Sequence, residues 1–172
     1  KVDGRVTVFL EPIALYMTKD LHEAGDGQWL FPYPPQDEAM PLGEGRVYGE
    51  DADDLVIFTY GNGVPMSLRA ARTIECRHGW KVRVVDLRWL VPLNEGFIAE
   101  QARSAKRILI VDEGRHSAGV GEGIITAIAE AGYRARPFQR VVVADTYTPL
   151  AGAALLVLAA LTFTMGKPLH LP

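Results

Sequence analysis

The residues with most scope for chemistry gather in one stretch, Glu113, Arg115, His116 and Ser117, followed at once by the glycine-rich run Gly119-Val120-Gly121-Glu122-Gly123. A histidine beside an arginine and near a carboxylate can take or give a proton close to neutral pH. His116 and Ser117 are adjacent, and neighbours on an extended chain point apart, which argues against a nucleophile and base pair. The amides of a glycine-rich turn that opens a helix can hold an anionic group. The dinucleotide fingerprint needs a glycine at its sixth position, where this chain has Ile124, so a packing turn is the favoured reading. Glu113, Arg115, His116, Gly119 and Gly121 are therefore the candidate interface or active-edge residues. No catalytic, cofactor-binding or metal-ligating residue is assigned.

Two further groups invite a site and are read structurally. Cys76 and His78 are too few for zinc, which wants four ligands, and Cys76 is expected to be a small packed residue near a helix end. Gly25-Asp26-Gly27 has the form with which thiamine-diphosphate enzymes hold Mg²⁺ and a diphosphate. No apolar strand precedes it, and the next asparagine, Asn62, ends a different segment. An aspartate at a solvated turn is the favoured reading.

The elements that must position these groups follow from periodicity. Val6–Leu10 reads as a short buried strand stopped by Glu11-Pro12, and residues 18–45, with several glycines and prolines and no sustained period, as a linker. Arg46-Val47-Tyr48 reads as an edge strand. Apolar runs at 54–60, 82–87, 107–112 and 140–144 are four further strands. Between them lie helical patterns: one with Pro65 in its first turn and Gly79 as its stop, one capped by Asn94, and one closed by Gly132. Such alternation predicts a largely parallel sheet covered on both faces, a three-layer α/β/α sandwich. Its carboxyl edge would carry Gly61, Leu87 to Arg88 and Glu113 to Ser117, where ligands of such sheets usually sit.

Composition narrows the class by exclusion. With 18 Lys and Arg against 21 Asp and Glu the net charge is −3, which disfavours nucleic acid as a partner. One cysteine permits no internal disulfide, and the chain is expected to be cytoplasmic. Residues 151–165 are nearly all apolar but too few for a membrane span, which needs about 20, so a buried or interface helix is expected and no membrane partner. The chain starts at Lys1 and looks cut from something larger.

Six markers then occur in order. They are Phe9-Leu10-Glu11-Pro12 with Leu15-Tyr16, Pro41-Leu42-Gly43, Thr59-Tyr60-Gly61, Val85-Asp86-Leu87-Arg88 with Pro92-Leu93, Val111-Asp112-Glu113 with Gly119 and Gly121, and Asp145-Thr146 with Pro149. In this order they resemble the end of the pyrimidine-binding domain and then the C-terminal, transketolase-like domain of beta subunits of thiamine-diphosphate-dependent 2-oxo acid dehydrogenases. The resemblance implies a five-stranded, mostly parallel sheet with one antiparallel edge strand, a role for Arg46–Tyr48. It divides the chain into residues 1–17, a terminal strand of the preceding domain; 18–45, a linker; 46–150, the transketolase C-terminal-like domain; and 151–172, an apolar tail or helix.

It also implies oxidative decarboxylation of pyruvate or a branched-chain 2-oxo acid by the parent enzyme, with thiamine diphosphate and Mg²⁺ bound there and none bound by this chain. Partners implied are the dehydrogenase alpha subunit or domain, a lipoyl acyltransferase core, and a second copy forming a homodimer through the C-terminal domain. Arg134, Arg136 and Arg140 depart from the acidic residues that would suit a basic docking partner, and residues 162–172 depart from the family's closing helix. Two alternatives remain open: a transketolase or deoxyxylulose-phosphate synthase relative with the same C-terminal domain, and a free-standing nucleotide-binding α/β module.

Overall fold

The structure, a computed structural model, describes residues 4, 6–38, 40–114, 117–133, 138–142 and 157, with backbone alone at residues 36, 138, 139, 141 and 142. Among the described residues five strands form one sheet: β1 (Arg46–Tyr48), β2 (Leu55–Thr59), β3 (Val82–Asp86), β4 (Ile108–Asp112) and β5 (Phe138–Val142). Their order across the sheet is β1-β3-β2-β4-β5. Only β1 runs antiparallel, pairing Arg46 with Asp86 and Tyr48 with Val84. The other four are parallel.

Strand geometry explains how one apolar run serves two cores. Successive side chains of β2 point to opposite faces, and all five of its residues are buried. Leu55 and Ile57 join Leu109, Val111, Val82 and Val84 against Met66, Ala70, Ala71 and Ile74 of helix α1 (Gly63–His78). Val56 and Phe58 join Ile108, Ile110 and Val85 on the opposite face. There they meet Ile98 and Ala102 of α2 (Glu95–Arg103) and Ile124, Ala127 and Ile128 of α3 (Val120–Glu130). The three-layer α/β/α sandwich expected from the alternating pattern is the fold observed.

Local signals set the helix ends. The Asn94 side chain accepts from the Phe97 amide at 3.0 Å and caps α2. Gly79 takes the left-handed conformation, φ 68°, and its amide returns to the Glu75 carbonyl to close α1. Cys76, expected to be packed, is exposed. The buried stripe of α1 runs through Ser67, Ala70, Ala71 and Ile74, which turns residue 76 outward.

Three further expectations are revised. Val6–Leu10 forms no strand: Val6 and Phe9 are 94% and 80% exposed, since no neighbouring strand among the described residues offers it a ladder. The final strand starts at Phe138 rather than Arg140, its pairing with β4 extending back to Ile108. Helix α3 begins at Val120, so Gly121 and Gly123 belong to its first turn rather than to a loop. Asp145, Thr146 and Pro149 lie outside the described residues, as do Arg134 and Arg136 and the whole of 151–172 except Val157, which packs against the α1 face.

Candidate functional site

The sheet order locates the natural crevice. From β2 the chain crosses over α1 to β3 on one side, and from β3 over α2 to β4 on the other, so connections diverge between β2 and β4. In open α/β sheets, ligands bind at the carboxyl end of such a switch point. Here that place is occupied by the protein's own polar groups.

Asp112, the last residue of β4, is fully buried on the face that α3 covers. Its Oδ1 accepts from the Tyr60 hydroxyl at 2.7 Å and the Gly114 amide at 2.8 Å. Its Oδ2 accepts from the Gly121 amide at 2.9 Å and from Nη2 of Arg140 at 2.8 Å. A carboxylate has about four acceptor positions, and all are taken. Burial alone would raise the Asp112 pKa, but the Tyr60 hydroxyl, the two amides and the Arg140 guanidinium outweigh it and hold the carboxyl below its ordinary value. Burial and the same carboxylate raise the Tyr60 hydroxyl well above its usual range.

Gly121 is required by this arrangement. A Cβ there would lie 2.6 Å from Nε of Arg140 and 2.7 Å from Oδ2 of Asp112. Its amide points inward at a carboxylate, so a phosphate at the α3 N-terminus would have to displace Asp112. Gly123 instead admits Leu93, whose Cδ1 lies 2.6 Å from the place of a Cβ. These glycines serve packing. The Glu122 side chain completes the start of α3, accepting from the Ala118 amide at 3.0 Å while standing 4.0 Å from Nη1 of Arg140.

Glu113, the one candidate carboxylate whose side chain is described, reaches across the crevice. Its Oε2 accepts from Nδ2 of Asn62 at 3.4 Å. Pro12 lies over the same edge, its Cγ 3.6 Å from the place a Cβ would take on Gly61. Gly119 is the N-cap of α3, extended and with no side chain to cap it. Arg115 and His116 lie outside the described residues. Sequence reasoning overlooked Asp112, Tyr60 and Arg140 as partners. The available signal was a charged residue closing the apolar run Ile108–Val111, nine residues ahead of Gly121.

A family model described as transketolase, C-terminal domain, matches residues 43–164. This chain belongs to the transketolase C-terminal domain family. Within it, the 3-methyl-2-oxobutanoate dehydrogenase subunit beta of Mycobacterium tuberculosis is 34% identical over 123 residues, 72% of this chain and 32% of that protein. The pyruvate dehydrogenase E1 component subunit beta of Staphylococcus aureus is 31% identical over 122 residues, 70% of this chain and 37% of that protein. The chain spans about a third of the length of these curated relatives. Among solved structures, a split gene transketolase, described as an inactive beta4 tetramer, superposes with a TM-score of 0.63 at 26% identity, over 77% of this chain and 46% of that one. The 2-oxoglutarate:ferredoxin oxidoreductase from Magnetococcus marinus shares the fold, with a TM-score of 0.54 at 14% identity, covering 73% and 20%. The family expected from the six ordered markers is the one found.

The Gly25-Asp26-Gly27 triplet, whose form suggests a Mg²⁺-diphosphate site, does not fit that group. Asp26 of the Gly-Asp-Gly triplet accepts from the amides of Leu21, His22, Glu23 and Gln28 at 2.7–3.0 Å. Desolvation opposes its ionisation, yet these four bonds hold its pKa well below the carboxylate range. Its lone pairs are engaged in shaping a turn, and among the described residues no group of three or more His, Cys, Asp or Glu is placed to hold a metal ion.

Proposed function

We propose that this transketolase C-terminal domain is the assembly domain of the beta part of a 2-oxo acid dehydrogenase of the pyruvate or branched-chain type, that it holds subunits together, and that it is not catalytic by itself. The observation that carries this reading is the switch-point crevice closed by Tyr60 on Asp112 and Asn62 on Glu113, with every acceptor of Asp112 filled. A sheet edge stitched in this way offers a firm surface rather than a ligand cleft.

Its partners are the dehydrogenase alpha subunit or domain, a second copy of itself, and a lipoyl acyltransferase core. The residues proposed to face them are Glu113, Gly119 and Gly121, with Arg115 and His116 included by their place in the sequence alone. Thiamine diphosphate and Mg²⁺ are bound elsewhere in the parent enzyme. No helix among the described residues is long and apolar enough to cross a membrane. A cytoplasmic location is part of the proposal and is supported by the single cysteine. Residues 1–17 are the end of the preceding domain, 18–45 the connection, 46–150 the domain proper and 151–172 an apolar tail that contributes to association.

Sedimentation tests the association, with self-association at tens of micromolar expected and a clean monomer overturning it. An immobilised lipoyl acyltransferase core tests docking: saturable binding is expected, and its absence removes that part of the proposal. Calorimetry should give no heat for thiamine diphosphate, and micromolar binding would contradict the division of labour. A second reading, a transketolase relative, is favoured by the likeness to split gene transketolase. Complementation by the alpha portion of a dehydrogenase but not by the other half of a split transketolase separates the two.

A further inference from the structure

From Glu11 to Leu30 the chain is hydrogen-bonded almost without a break, although its composition is that of a loop. The Leu15 amide donates to Pro12 at 3.0 Å, Tyr16 to Ile13 at 3.2 Å and Thr18 to Leu15 at 3.1 Å, while the Tyr16 hydroxyl bonds Glu11. Two carboxylates then organise a knot. Asp20 accepts from the amides of Gly25 and Gly27 at 2.8 and 2.9 Å, Asp26 holds its four amides, and the Trp29 amide returns to the Lys19 carbonyl at 2.9 Å.

The knot is fastened to α1. Arg69 donates through Nε to the Leu21 carbonyl and through Nη2 to the Asp20 carbonyl at 3.3 Å. Leu21 is buried. Arg72 pairs with Glu23 at 3.2 Å, but both are exposed and the pair adds little. Beyond the knot, the Arg46 guanidinium of β1 stacks on Phe31 at 5.1 Å and on Tyr48 at 4.9 Å, and Phe31 meets Trp29 edge-on at 5.3 Å.

We infer that residues 11–31 form a rigid strap, anchored by Arg69, that fixes Glu11 to Met17 relative to α1 and the sheet. A flexible linker of about twenty residues would let its ends wander by roughly 25 Å. The strap removes that freedom between residues 11 and 31, so Glu11 keeps a fixed place relative to this domain. The same clamp holds Pro12 over Gly61 at the closed crevice. His22 and Gln28 of the strap also line one side of an open pocket of about 480 Å³, which Tyr48, Leu68, Arg72 and Glu75 line as well. The inference stands whichever enzyme the domain serves.

Hydrogen exchange on the full chain tests it. Amides of Leu21, His22, Glu23, Gly25, Gly27 and Gln28 are expected to be protected, and Arg69→Ala to speed their exchange on the order of ten-fold while β2 and β4 stay unchanged. Asp26→Asn, which leaves α1 intact, should do the same and reads the strap even if the Arg69 variant disturbs the helix. Arg72→Ala should change little. A spin label on the exposed native Cys76 and another on Met17→Cys should report one narrow distance. Unprotected strap amides in the unaltered protein, or a distance distribution as broad as a free linker, would overturn the inference.

Discussion

The hydroxyl of Tyr60, one residue past β2, donates to Oδ1 of Asp112 at the end of β4 over 2.7 Å and so bridges the two strands that flank the switch point. Tyr60→Phe keeps the ring and removes the bridge. Since the acceptor is charged and keeps three other donors, the expected loss is about 1–2 kcal/mol. Urea unfolding measures it, and an unchanged midpoint would show that the crevice is closed by packing alone.

Gly121→Ala should be worse than its size suggests. The new methyl meets Nε of Arg140 and Oδ2 of Asp112, and both belong to a buried ion pair that cannot swing away without losing its partner. A loss of about 2–3 kcal/mol is expected from the overpacking. Gly123→Ala meets only the end of the Leu93 side chain and should be milder. Equal effects at the two positions would contradict this account of the glycine run.

Acid should weaken the domain partly through Asp112. Its folded-state pKa lies below the unfolded value of about 3.9, so its stabilisation is fully present above that pH and is lost as pH falls through the folded pKa. Asp86, raised by burial, works in the opposite direction: protonating it at acid pH relieves a cost. Asp112→Asn should therefore be destabilised most at neutral pH, with the gap to the unaltered protein narrowing below about pH 4. A gap that does not change with pH would mean the carboxylate charge is not what the Tyr60 hydroxyl, the amides and Arg140 are holding.

Asn94→Ala removes the side-chain acceptor of the Phe97 amide and should lower stability by about 1 kcal/mol. Thermal unfolding reads this, and Asn94→Asp should retain most of the capping.

The apolar runs at β2, β3 and β4 and the stop at Gly79 are legible in the linear sequence, because side-chain alternation and helical periodicity are local properties written within a dozen residues. The order of the six markers was equally legible, and with it the family. Asp112 was not legible as a hub, since its donors come from Tyr60, Gly121 and Arg140, up to fifty-two residues away, and only the parallel pairing of β2 with β4 and β4 with β5 brings them together. Nor was the exposure of Val6–Leu10, whose β-branched pattern says strand while a ladder needs a neighbour. The linker at 18–45 shows the division most clearly. Its glycines and prolines foretold a loop, but Asp20, Asp26 and Arg69 make part of it a fastened strap, because carboxylates and a guanidinium can satisfy backbone groups that no regular element supplies.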